Sequence, residues 1–139
     1  MVFTKQLSIR TRGNTHILDI TAEIQSVVEK SNISTGTVTA FNVGSTAGLT
    51  TIEYEPGLVN HDMNRAFEKI APQNDPYEHE KTWHDDNGHA HVRASLLGPS
   101  LTVPIVDGRL TLGTWQQIVL IDFDTHPRNR TVICQMTGE

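Results

Sequence analysis

The stretch "LTVPIVDGRLTLG", Leu101 to Gly113, does most to limit the fold. Asp107-Gly108 sits between two runs rich in β-branched and apolar residues. That dipeptide favours two-residue turns whose positive φ angles match the twist of paired strands. A β-hairpin is therefore predicted, and with it an antiparallel C-terminal half. Pro104 has no N–H to give to a ladder, so its strand is placed at an edge or a bulge. "WQQIVLIDFD" and "RTVICQM" read as two further strands joined by the turn "THPRNR".

The N-terminal half mixes the two periods. Val2 to Arg10 alternates loosely and reads as a strand, and a second extended stretch is placed over Thr15 to Ile20. Ile17, Ile20, Ile24, Val27 and Val28 recur at helical spacing and predict a helix over Asp19 to Lys30. Asp19 or Thr21 could cap it. "TVTAFNV" and "LTTIEYE" read as strands around the small-residue linker "GSTAG". Pro56-Gly57 opens a second helix with Met63, Ala66, Phe67 and Ile70 as its apolar stripe, ended before Pro72. Residues 73–88 show no period and read as a long polar loop. "HAHVRASLLG" reads as a short helix closed by Gly98-Pro99. The sum is a single α+β domain over 1–139. It has about seven mostly antiparallel strands, with two or three helices packed beside them.

A chain of 139 residues can bury a core without disulfide staples. The single cysteine, Cys134, excludes an internal disulfide framework and Cys-based zinc patterns. Its β-branched surroundings make it a buried strand thiol. A net charge of −5 argues against broad nucleic-acid binding but leaves room for one locally positive site for a small anion. The N-terminus lacks a signal-peptide pattern, and no apolar run approaches the ~18 residues a membrane span needs. The expected location is the cytoplasm, with no membrane partner.

"YEHEKTWHDDNGHAH" runs from Tyr77 to His91 and holds four of the seven histidines. Three chemistries fit it, beside the plain reading of a solvated polar loop. The first is a metal site. His79, His89 and His91 with Asp86 are ligand types that a divalent transition metal accepts. "HAH" puts both imidazoles on one face only if the backbone is extended; on a helix they lie about 200° apart. The second is an anion site at a helix start. Asp86 or Asn87 stands at the N-cap, the first N–H groups of the helix face the loop, and Arg93, Ser95, Ser45 and Thr46 assist. The third is general acid–base work by histidines tuned by neighbouring carboxylates. His84, His16 and His126 read as ordinary, Trp83 and Trp115 as core or interface, and Glu53 as alternating toward the site.

At "HAHVRASLLGPSLTVPIVDGRLTLGTWQQIVLIDFD" the sequence resembles the YjbQ-like family, most specifically over Ser95 to Ile118, with "PYEH" and "HDM" also matching. The resemblance covers nearly the whole chain. It implies a small α+β domain assembled as a homotrimer. It also implies a secondary thiamine phosphate synthase activity, which joins a pyrimidine methyl diphosphate to a thiazole phosphate. The family's polar site falls on His79, Asp86 and His91, its strand-end glutamate on Glu53, and a basic position on Arg93. Many members carry a histidine where this chain has Gly44, and His89 is the candidate to compensate. Two alternatives stand beside the transferase. One is a metal-dependent hydrolase or lyase acting on a small phosphorylated metabolite, and the other is a non-catalytic ligand-binding trimer.

Overall fold

The computed structural model describes residues 1–139. It is α+β: eight strands in two antiparallel sheets, with four helices. The strands are β1 (Val2–Thr11), β2 (His16–Asp19), β3 (Gly36–Val43), β4 (Ala47–Ile52), β5 (Ser100–Val106), β6 (Arg109–Leu110), β7 (Gln117–Asp122) and β8 (Arg128–Gly138). The helices are α1 (Thr21–Ser31), α2 (Met63–Ile70), α3 (Glu78–Trp83) and α4 (Gly88–Leu97). A π-helical turn, Leu58–Asp62, leads into α2. The larger sheet runs β1-β8-β3-β5-β6 and the smaller β2-β7-β4.

Strand β7 organises the interior. Its sequence "QIVLID" is apolar on both faces, the mark of a strand buried on both sides. Ile118 and Leu120 face the larger sheet and α1, where they join Ile24, Val28, Val38, Ile105, Val132 and Met136. Val119, Ile121 and Phe123 face the other way, onto Ile17, Ala90, Ala94 and Phe67. The smaller sheet is thus the middle of three layers. Phe67 meets Phe123 edge-on at 4.7 Å between ring centroids, an arrangement that suits the ring quadrupoles. Cys134 is buried in the core, and burial pushes its thiol up to about 11.

The hairpin forms as its dipeptide dictates. Val106 pairs with Arg109, and the two turn residues take φ of 51° at Asp107 and 71° at Gly108. Strand β5 pairs with β3 on one side and only with the two-residue β6 on the other, so Pro104 lies where the ladder is short.

Three expectations change. Residues 73–88 are not all loop, because α3 occupies Glu78–Trp83. Its six residues are too few to show a period. They rest on Glu78 and Glu80 in the first turn and Lys81 in the last, charges that favour the helix dipole. The α2 stripe is narrower than its spacing suggests: Phe67 is buried but Ala66 and Ile70 are exposed. Trp83 and Trp115 do not enter the core, and both are more than 70 % exposed. No helix is long and apolar enough to cross a membrane.

Candidate functional site

The polar residues converge where β7 ends and α4 begins. Asp122 closes β7 and Asp124 follows two residues later; both are buried. A buried carboxylate must be paired or hydrogen-bonded, and each is. Asp122 receives Nε and Nη2 of Arg130 at 2.7 Å each, the Thr11 hydroxyl and the Asp124 amide N–H. Such a two-pronged arginine–carboxylate contact is among the strongest and most directional polar contacts. Asp124 accepts from the Thr46 hydroxyl at 2.9 Å, the Thr125 N–H at 2.8 Å and Arg128 Nε at 3.2 Å. Burial pushes the Asp124 carboxyl up. The bonds from Thr125 and Thr46 and the Arg128 charge outweigh that, so the group is held below the usual carboxylate range.

Asn87 carries this cluster outward. It stands at the N-cap of α4, yet its side chain caps nothing. Instead Asn87 Nδ2 donates to Asp124 Oδ1 at 3.4 Å, and Asn87 Oδ1 lies 3.1 Å from His79 Nε2. With Asn87 Oδ1 as acceptor, His79 Nε2 is the donor. The His79 ring lies 4.4 Å from that of His91, centroid to centroid. Helix α3 supplies the first imidazole and α4 the second. Burial holds the His91 pKa below its ordinary 6.5, and repulsion from His79 adds to this. Asp124, Asp85 and Glu80 pull the other way. Beside His91 opens a cavity of about 530 Å³, bordered by Gly44 and Ser45 from the β3–β4 loop and by Ser95.

Of the residues singled out in the sequence, His79 and His91 meet, Ser45 and Ser95 border the same cavity, and Thr46 joins the buried cluster. Asp86 sits at the rim, where Oδ1 accepts the Thr125 hydroxyl at 2.7 Å.

Three others are placed differently. His89 cannot share an ion with His91, because "HAH" is helical and the two rings leave opposite faces. His89 is buried beside Tyr77, and its Nδ1 lacks a partner. Arg93 does not reach a ligand. It is buried, with Nε on Ala71 O, Nη2 on Glu68 at 2.6 Å and Nη1 on Thr15 Oγ1. It anchors the bend where Thr15 takes φ of 63°, a costly angle for a β-branched residue. Glu53 lies beyond the far end of β4, on the order of 20 Å along the strand from Ala47. The start of α4 is already filled by the protein itself: Glu80 Oε1 takes the Gly88 N–H at 2.6 Å, the place a phosphate was expected.

The sequence reading missed Asp122, Asp124, Arg128 and Arg130. A signal was present. Two carboxylates in "LIDFD" end a run that is otherwise wholly apolar, and "RNR" repeats the two-residue spacing in the facing charge.

No three His, Cys, Asp or Glu side chains gather closely enough to hold a metal ion. The two imidazoles fall short of the three protein ligands a catalytic zinc uses. The donor set of one chain therefore does not fit the metal centre that the sequence suggested.

Comparison with known proteins places the chain. The family model described as "UPF0047 protein YjbQ-like" matches residues 5–139. A UPF0047 protein of Methanothermobacter thermautotrophicus is 36% identical over 138 residues, covering 99% of this chain and 94% of the relative. The UPF0047 protein YugU of Bacillus subtilis is 36% identical over 135 residues, covering 96% and 98%. A crystal structure of a hypothetical protein from Aeropyrum pernix superposes with a TM-score of 0.90 at 30% identity, covering 99% of both chains. These relatives are named by family alone and none by an activity. That overturns the thiamine phosphate synthase reading, which had no support beyond the resemblance. The chain belongs to the YjbQ-like UPF0047 family.

Proposed function

We propose that this protein carries out proton transfer on a small anionic metabolite in the cleft where His79 and His91 meet. The carrying observation is the pair of imidazoles 4.4 Å apart, one of them bonded through Asn87 to a buried carboxylate. A histidine with a lowered pKa is neutral at pH 7 and free to accept a proton. The Asn87–Asp124 link orients His79 and fixes its tautomer, the role a carboxylate often plays behind a working imidazole. His91 takes the proton from the substrate and returns it to the product, while His79, held by Asn87, keeps His91 a ready acceptor by repelling the charge it gains. No step of this chemistry is routed through a metal.

The homotrimer implied by the resemblance belongs to the same proposal. Phe41 and Val43 point outward from β3, and Val92 and Leu96 are exposed on α4. Val92 and Val43 lie close in sequence to the cavity residues His91 and Gly44. Exposed apolar side chains of this size are surface that a second copy would cover.

The test is turnover. Untagged protein is incubated with sugar phosphates, phosphate esters, 2-oxo acids and hydroxy acids, and products are followed by proton and phosphorus NMR. At least one class should be converted, with a loss of about 10²-fold or more in His91→Ala and no loss in His84→Ala. Conversion that is equally fast in His91→Ala, or no conversion of any class, would refute the reading.

A further inference from the structure

The buried cluster holds one donor that the protein itself does not use. Arg130 is more than nine-tenths buried. Its Nε and Nη2 are committed to Asp122, and Nη2 also donates to Thr46 at 2.7 Å. Nη1 has no protein acceptor. It is not sealed off either: the sealed polar atoms without partners are Asn42 Oδ1 and His89 Nδ1. Nη1 is therefore a charged donor left open to a partner from outside the protein.

The backbone that Nη1 stands against is Gly44. A Cβ built on Gly44 would stand 2.9 Å from Nη1, closer than such atoms approach. Gly44 also borders the cavity beside His91. Arg130 is not itself on the cavity border; it stands behind Gly44, whose lack of a Cβ leaves Nη1 its room. The cavity border carries the Ser45 and Ser95 hydroxyls and no carboxylate. Ser95 Oγ is occupied by Val92 O, whereas Ser45 Oγ makes no bond within the protein. Charge does not forbid an anion here, since Asp122 and Asp124 are balanced by Arg130 and Arg128.

We infer that Arg130 Nη1, uncovered by Gly44 and aided by the Ser45 hydroxyl, is an oxyanion subsite that holds a phosphate or carboxylate group in the cavity beside His91. The inference extends the proposed function by naming the anionic handle of its ligand. The binding it asserts does not depend on His91 moving a proton. An arginine suits the task because its planar donors meet an oxyanion directionally and its charge persists at all working pH values.

The experiment titrates the intact protein with inorganic phosphate and, in a separate arm, with acetate. Arginine side-chain 15N–1H spectra report where the anion binds, and calorimetry reports the affinity. Saturable phosphate binding that shifts the Arg130 Nη1 signals is expected. The acetate arm decides whether a carboxylate serves as well. Gly44→Ala should weaken binding about ten-fold or more, the loss of one charge-assisted hydrogen bond. His91→Ala should keep it within a few-fold. Arg130→Gln is a second variant, read only if its circular dichroism matches the parent; the wild-type spectra decide the matter if it does not fold. No saturable binding of either anion, shifts at other arginines only, or an unchanged affinity in Gly44→Ala would each overturn the inference. Anion binding without any turnover would leave the subsite standing and remove the acid–base reading. Turnover without anion binding would do the reverse.

Discussion

Asp122→Ala is the perturbation whose cost follows most directly from the geometry. The carboxylate is fully buried and satisfies two nitrogens of Arg130, the Thr11 hydroxyl and the Asp124 N–H. Removing it strands a guanidinium that is itself buried. Breaking a buried pair in this way costs about 3–5 kcal/mol. The two further donors left unmet put Asp122→Ala in the upper half of that range. For a domain of this length each kcal/mol moves the melting temperature by roughly 3–5 °C, so a fall of about 12–25 °C is expected. Whole-domain stability is about 5–15 kcal/mol, so over most of that range the variant stays folded and its urea midpoint can be measured. Arg130→Ala alone should also be costly, because it leaves Asp122 buried without its counter-charge. The double variant should cost about 2–3 kcal/mol less than the two singles added together, since neither charge then remains to be compensated. Urea unfolding followed by circular dichroism, at pH 7 and fixed salt, gives all four corners of the cycle. A cost below about 1 kcal/mol for Asp122→Ala, or singles that add to within about 0.5 kcal/mol, would refute the reasoning.

Gly108→Ala isolates backbone strain, because a Cβ there meets nothing within 4 Å while φ is +71°. It should cost about 1 kcal/mol by urea unfolding, and no loss would mean that the turn relaxes freely. His16, His89 and His91 all have pKa values lowered first by burial. The unfolded chain therefore binds more protons than the folded one just below pH 6.5, and stability should fall as pH drops through that window. Melting temperatures from pH 7.5 to 5.5 check this, and the fall should shrink in His89→Gln; a flat profile would contradict it. Light scattering at micromolar concentration should give three times the chain mass of 15.4 kDa, and a mass of 15.4 kDa would remove the trimer.

Local rules made most of the fold legible. Asp107-Gly108 specifies its own turn, and the Ile24-Val27-Val28 spacing specifies the buried face of α1. The rule for helical spacing also separated His89 from His91 once "HAHVRASLLG" was read as a helix. The site was legible only in part, because its pairings are distant in sequence. Asp122 and Arg130 lie on β7 and β8, strands of different sheets, and nothing local says that these sheets face each other. Arg93 looked like a ligand residue because its anchors, Thr15, Glu68 and Ala71, come from elsewhere in the chain. Glu80 at the α4 N-terminus was hidden for a related reason. The six-residue helix that delivers it has too few turns to show a period.

Imidazole NMR titration of His91, with and without His79, bears most directly on the central claim that the two rings form one site. His79 lies against His91 and lowers its pKa, second only to burial. In the parent protein His91 should titrate below 6.5, and in His79→Gln its midpoint should rise, because one source of the lowering is gone. A His91 midpoint at or above 6.5 in the parent, or one that does not move when His79 is replaced, would mean that the rings do not act together.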